Sequence, residues 1–141
     1  MTEKLELEIL YEFELIGIAS FARPYKMAWE LNRALDIRLV KVDDLELNFL
    51  NEQFVQVLNF YFATVHNTFR LIKNKSVFSS KNIKPYILPE LESFDFFLVV
   101  ENQTGYGSID DSLQVLSEIP IVQYVKKFDA NLLKSKDNLM F

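Results

Sequence analysis

The pattern of residues 5–19 changes midway, and that change limits what the chain can fold into. Odd positions from Leu5 to Leu15 are apolar, namely Leu5, Leu7, Ile9, Tyr11, Phe13 and Leu15, with Glu6, Glu8, Glu12 and Glu14 between them. Alternation at period two makes a strand with one wet face. Residues 16–19, IGIA, are then wholly apolar, as a strand entering a covered core is. Gly17 inside this run marks a bulge or a close backbone approach. The four glutamates read as partners for basic residues on neighbouring strands rather than as cation ligands.

The next segment, RPYKMAWELNRAL, is a helix opened by Pro24. Met27, Ala28, Leu31, Ala34 and Leu35 share one side at 3.6 spacing and form its core face. Trp29 does not belong to that face. It projects nearly opposite, with Tyr25 four residues before it and Arg33 four residues after it. The only Trp of the chain therefore sits on the side that should be wet, beside an Arg able to stack on the indole.

Residues 37–42 and 45–49 read as strand with a bend at Asp43–Asp44, and 54–65 as a long strand. His66–Asn67 suits a hairpin turn. Folding about it sets Phe62 opposite Leu71 and Tyr61 opposite Ile72. Residues 75–86 read as loop, and Phe94–Val100 as a short interior strand. QTGYG at 103–107 is a turn without the spacing of a phosphate-binding loop. Ser108 can cap a helix with Asp110 and Asp111 in its first turn and Ile109, Leu113 and Leu116 as its core stripe. Pro120 ends that helix, 121–128 is a strand, and the last dozen residues hold a helical turn and a short strand. No repeat, low-complexity tract or linker divides the chain, so residues 1–141 read as one domain. The order predicts an α+β fold: an antiparallel sheet with two helices on one face, a ferredoxin-like (split βαβ) core enlarged by a β-hairpin. The second sheet face is expected to be open unless something packs there, and the aromatic surplus of 13 Phe, 6 Tyr and one Trp makes self-association through a sheet face or edge the expected partner mode.

Composition removes several function classes. There is no Cys and one His, His66, in the expected turn. That argues against a thiol nucleophile, a zinc site and a His-based triad. The net charge is −5, all of it carried by residues 1–62, which argues against a nucleic-acid backbone binder. Lys73, Lys75, Lys81 and Lys84 read as a solvated run. The N-terminal MTEKLELEIL fits neither a signal peptide nor a membrane span, so a cytoplasmic protein without membrane contact is expected. No cofactor and no metal is implied.

One stretch carries more. Residues 88–96, LPELESFDF, resemble the signature of the IPExxxVDY family of uncharacterised bacterial proteins. Pro89, Glu90 and Asp95 match; Leu88, Phe94 and Phe96 stand where the signature has Ile, Val and Tyr. The segments WELNRAL, NKS at 74–76 and SKDNLMF are also similar to family segments, so the resemblance runs most of the chain. It implies a bacterial cytoplasmic lineage and no particular activity.

Three functions stay open. The first is a non-catalytic interaction or structural domain forming a homodimer, favoured by the aromatic richness, the Trp29 face and the absence of a catalytic set. The second is a small-ligand regulatory domain, by analogy with ACT-like folds, with a site at the strand–helix junction SFARPY where Arg23 grips a carboxylate and Trp29 walls a pocket. The third is an enzyme using Glu90 and Asp95 as paired carboxylates. Arg23, Tyr25, Trp29 and Arg33 are the binding candidates, and no catalytic set is assigned. Glu90 and Asp95 read first as polar anchors around a turn.

Overall fold

A computed structural model describes residues 13–49, 53–81, 83–102 and 110–141. The first strand, β1, runs Glu14–Ala19, and α1 follows at Pro24–Leu35. Four strands come next: β2 (Val40–Asn48), β3 (Phe54–Ala63), β4 (Asn67–Lys73) and the short β5 (Phe78–Ser79). The chain closes with β6 (Phe96–Asn102), α2 (Asp110–Ser117) and β7 (Tyr124–Phe128). The sheet order is β2-β3-β4-β6-β1-β7, with β5 pairing β3 beyond the end of β4. Every pairing in it is antiparallel. The fold is α+β, with an open antiparallel sheet and two helices.

Why α1 stops where it does is visible in its last turn. Asp36 takes the left-handed conformation, at φ 55°, that closes many helices. The Asn32 side chain then accepts from the Leu39 amide at 2.8 Å and donates to the Leu39 carbonyl at 3.2 Å. This holds the turn into β2 without a glycine.

Both helices cover one face. Met27, Ala28 and Leu31 of α1 and Leu116 near the end of α2 bury against Ile16, Ile18, Phe60, Leu71, Phe96 and Leu98. The opposite face is not open, contrary to the expectation from sequence. Ile87, Leu88 and Phe94, together with Ala130 and Leu139 near the C-terminus, pack on Leu15, Val57, Ile72, Phe97 and Val99. The signature segment and the tail thus form the second cover layer. Their apolar residues lack a regular period, because 3-10 turns at 89–91, 130–132 and 136–139 interrupt them.

Gly17 is a close-approach glycine. A Cβ there would lie 2.8 Å from ring atoms of both Phe94 and Phe128. Phe94 also packs on Phe97 at 6.4 Å and on Tyr124 at 5.9 Å between ring centres.

Several expected boundaries change. Residues 40–48 form one strand with an irregular register between Val42 and Leu45, where two strands and a bend were expected. The β3–β4 hairpin pairs Phe62 with Phe69 and Tyr61 with Arg70, two residues away from the expected register. The Thr64 hydroxyl accepts from the amides of His66 (3.2 Å) and Asn67 (3.0 Å), so Asn67 is drawn into the strand. The shift is even, so every side chain keeps its face. Residues 121–123 precede β7, since the Val122 amide bonds back to Ile119. A second 3-10 turn replaces the short final strand. Leu5–Glu12, the 103–107 turn and the Ser108–Ile109 cap lie outside the described residues. Glu14, the one described member of the N-terminal glutamates, meets Lys127 of β7 at 2.8 Å.

Candidate functional site

The outer side of α1 is the most distinctive exposed surface. Pro24 sets the first turn and the core stripe turns Met27 and Leu31 inward, which sends Trp29 outward. Trp29 is 51% exposed, and two cations lie over its ring: Lys26 Nζ at 4.5 Å and Arg33 Cζ at 4.7 Å from the ring centre. Arg33 also meets Glu30 at 3.3 Å. Tyr25 is 64% exposed and packs edge-on against Phe60, ring centres 5.3 Å apart. Phe21, three residues before the helix, is 88% exposed. A large apolar ring held in water is costly, so three such exposed rings close in sequence mark a surface that gains from being covered.

Arg23 precedes the helix and is exposed, its carbonyl accepting from the Met27 amide at 2.9 Å. Ten residues separate it from Arg33, roughly 15 Å of helix. Tyr25, Trp29 and Arg33 thus line one face, with Arg23 at its end, rather than the wall of one pocket. Lys26 belongs to this face and was missed; its i−3 spacing from Trp29 was the available signal. Beside the face, a groove of about 270 Å³ between α1 and α2 is lined by Glu30, Arg33 and Ala34 on one side and Val115 and Ile119 on the other.

The signature residues have structural partners. Leu88 and Phe96 are fully buried, on opposite sides of the sheet, and Pro89 opens the 3-10 turn. Asp95 Oδ2 accepts the Ser20 amide at 2.8 Å, tying β6 to the end of β1, while the Ser20 hydroxyl donates to the Ile121 carbonyl at 2.6 Å. Glu90 Oε2 accepts the Ser135 amide at 2.7 Å and pins the tail. The two carboxylates therefore serve two separate joints, Asp95 between β6 and the end of β1 and Glu90 between the 3-10 turn and the tail. Asn74, which sequence reading did not single out, organises the whole segment. It is fully buried, accepts the Leu88 amide and donates to the Leu91 and Phe94 carbonyls, each at 3.0 Å. Nothing in the local pattern NKS distinguishes a buried Asn from a loop Asn.

Burial acts to raise the Glu90 pKa, but the hydrogen bonds from Ser135 and Lys134 outweigh it and leave the carboxyl below its ordinary value. Asp44 is lowered as well, chiefly by the hydrogen bond from Lys41, with burial opposing and Gln56 adding to it. Lys41 also donates to the Val42 carbonyl. A carboxyl with a depressed folded pKa stabilises above its unfolded value of about 4 and loses that contribution as pH falls through the folded pKa. Glu90→Gln is expected to flatten the loss of stability below about pH 4.5, with an effect near pH 7 of at most ~1 kcal/mol because the group is exposed. Urea unfolding from pH 3 to 7 checks this; parallel curves for variant and wild type would refute it.

Compared with known proteins, the chain matches no protein-family profile, and no curated protein matches it. Among the described residues no helix is long and apolar enough to cross a membrane, and no group of three His, Cys, Asp or Glu side chains could hold a metal ion.

Proposed function

We propose that this chain is a non-catalytic interaction domain that forms a homodimer through the outer face of α1. The carrying observation is the exposed rings Tyr25 and Trp29 on α1 and Phe21 just before it, together with Arg23, Lys26 and Arg33. Because the chain covers both sheet faces itself, a dimer contact through a sheet face is less well supported than one through this helix. An antiparallel crossing of two α1 helices centred on Trp29 places Arg33 of each copy opposite Tyr25 of the other. That pairing converts exposed rings and cations into buried cation–π contacts.

The finer architecture belongs to the same reading. The strand order β7-β1-β6-β4, with α1 following β1 and α2 joining β6 to β7, supports a ferredoxin-like core in which β2–β3 is the added hairpin. Family membership rests on Pro89, Glu90 and Asp95, and with it a bacterial, cytoplasmic setting. The ACT-like alternative is less well supported, because Arg23 is exposed and the Trp29 ring already carries Lys26 and Arg33 over it.

Light scattering coupled to size exclusion tests the proposal. Wild type is expected to run as a dimer and Trp29→Ala as a folded monomer, with unfolding free energy within about 1 kcal/mol of the wild-type protomer, since the ring is half exposed. A monomeric wild-type mass at high concentration would refute it.

A further inference from the structure

Arg70 lies far from the α1 surface, in β4 on the face covered by the tail. Its position is set with care. One of its Nη atoms donates to Asn59 Oδ1 at 3.0 Å. Asn59 is 3% exposed, and its own Nδ2 donates to the Asp43 carbonyl at 3.1 Å, where the β2–β3 register shifts. The amide therefore cannot rotate without losing a bond, and its oxygen stays aimed at the guanidinium. The rings of Tyr61 and Phe141 lie 4.9 and 4.7 Å from Arg70 Cζ.

What this arrangement lacks, among the described residues, is an anion in contact. Among the described residues no carboxylate lies within ion-pair distance of Arg70, and its one hydrogen-bond acceptor is the neutral Asn59. A guanidinium offers five donors in a planar fork, and one of them is used here. Burial lowers the Arg70 pKa, with Tyr61 and Glu101 opposing, so the charge sits where water serves it poorly. A half-buried cation held by a buried amide and flanked by rings is what recognition of an oxyanion needs: a fixed fork, a reduced dielectric and apolar walls.

We propose that Arg70, positioned by Asn59 and flanked by Tyr61 and Phe141, forms a binding site for an oxyanion, a carboxylate or a phosphate group. The fork takes the two oxygens, and the rings receive the body of the molecule. Asn59 is a positioning residue that touches the guanidinium and not the ligand.

The test is a thermal-shift titration of the full chain with sodium benzoate and with sodium phosphate, each against sodium chloride at equal ionic strength. A saturable rise is expected with at least one of them, and the one that acts identifies the oxyanion. The rise is expected to vanish in Arg70→Gln and to need about tenfold more ligand in Arg70→Lys, which keeps charge but loses the fork. Lys126 of β7, whose Nζ lies 5.4 Å from the centre of the Phe128 ring, supplies the control, and Lys126→Gln is expected to behave as wild type. Should Arg70→Gln fail to fold, the Arg70 Nε–Hε resonance of the wild-type protein is expected to move on titration with the active anion. No saturable response in wild type, or one that survives Arg70→Gln, overturns the proposal; so does an unmoved Nε–Hε resonance.

Discussion

Asn74→Ala is expected to destabilise the protein by about 3 kcal/mol, seen as a lower urea midpoint with little change in slope. The side chain satisfies three backbone groups of the signature segment, the Leu88 amide and the Leu91 and Phe94 carbonyls. Alanine can replace none of these bonds, and each buried group left unpaired costs on the order of 1 kcal/mol or more. The Asn74 backbone adds two bonds, from its amide to Asp95 and to its carbonyl from Ile87, and these survive the substitution. The damage should therefore centre on residues 87–94, where hydrogen exchange of the Leu88 amide is expected to rise more than that of β6. Asn74→Asp gives a further check. Its carboxylate would face two carbonyls in a buried site, which raises its folded pKa above the unfolded value. The deficit against wild type should then grow as pH rises through that range and shrink in acid. A loss below 1 kcal/mol for Asn74→Ala would remove Asn74 as the organiser of the segment.

Gly17→Ala is expected to cost about 2–3 kcal/mol, although alanine loses less backbone entropy than glycine. The added methyl would sit 2.8 Å from Phe94 Cδ1 and Phe128 Cε2 and 3.0 Å from Phe94 Cγ. Those rings are locked in a cluster, with Phe94 and Phe128 packed edge-on at 5.1 Å. Neither can yield without disturbing Phe97 or Tyr124. The cause is space, and it can be relieved from the other side. In a Phe94→Val background the cost of Gly17→Ala is expected to fall by at least 1 kcal/mol, a coupling that a double-mutant cycle reads directly. Additive effects would show that the two positions do not share the contact.

Much of this fold was legible because its signals are local. The period-two run and IGIA lead to β1, the Pro24 start and the Met27–Leu31 stripe lead to α1, and the run Phe94–Val100 leads to the interior strand β6, which begins two residues later, at Phe96. Trp29 stood out for the same reason, since its outward direction follows from helical spacing alone. The hairpin register was misplaced by two residues because the Thr64 hydroxyl, not an Asn-centred turn, closes the loop. The second cover layer was missed because irregular segments have no period to read. The same holds for Arg70 and Asn59, which lie 11 residues apart in sequence and meet only when β3 pairs with β4.

From its sequence alone, then, this protein is determined as strands and helices with given inward faces, since side-chain direction follows from backbone period. The space that requires glycine at 17 arises only when Phe94 and Phe128 come down on β1 from distant parts of the chain. The partners of Glu90 and Asp95 are likewise a tertiary matter. Each carboxylate accepts a backbone amide, from Ser135 and Ser20 respectively. A backbone amide is present at nearly every residue, so no sequence pattern can name which one a carboxylate will meet.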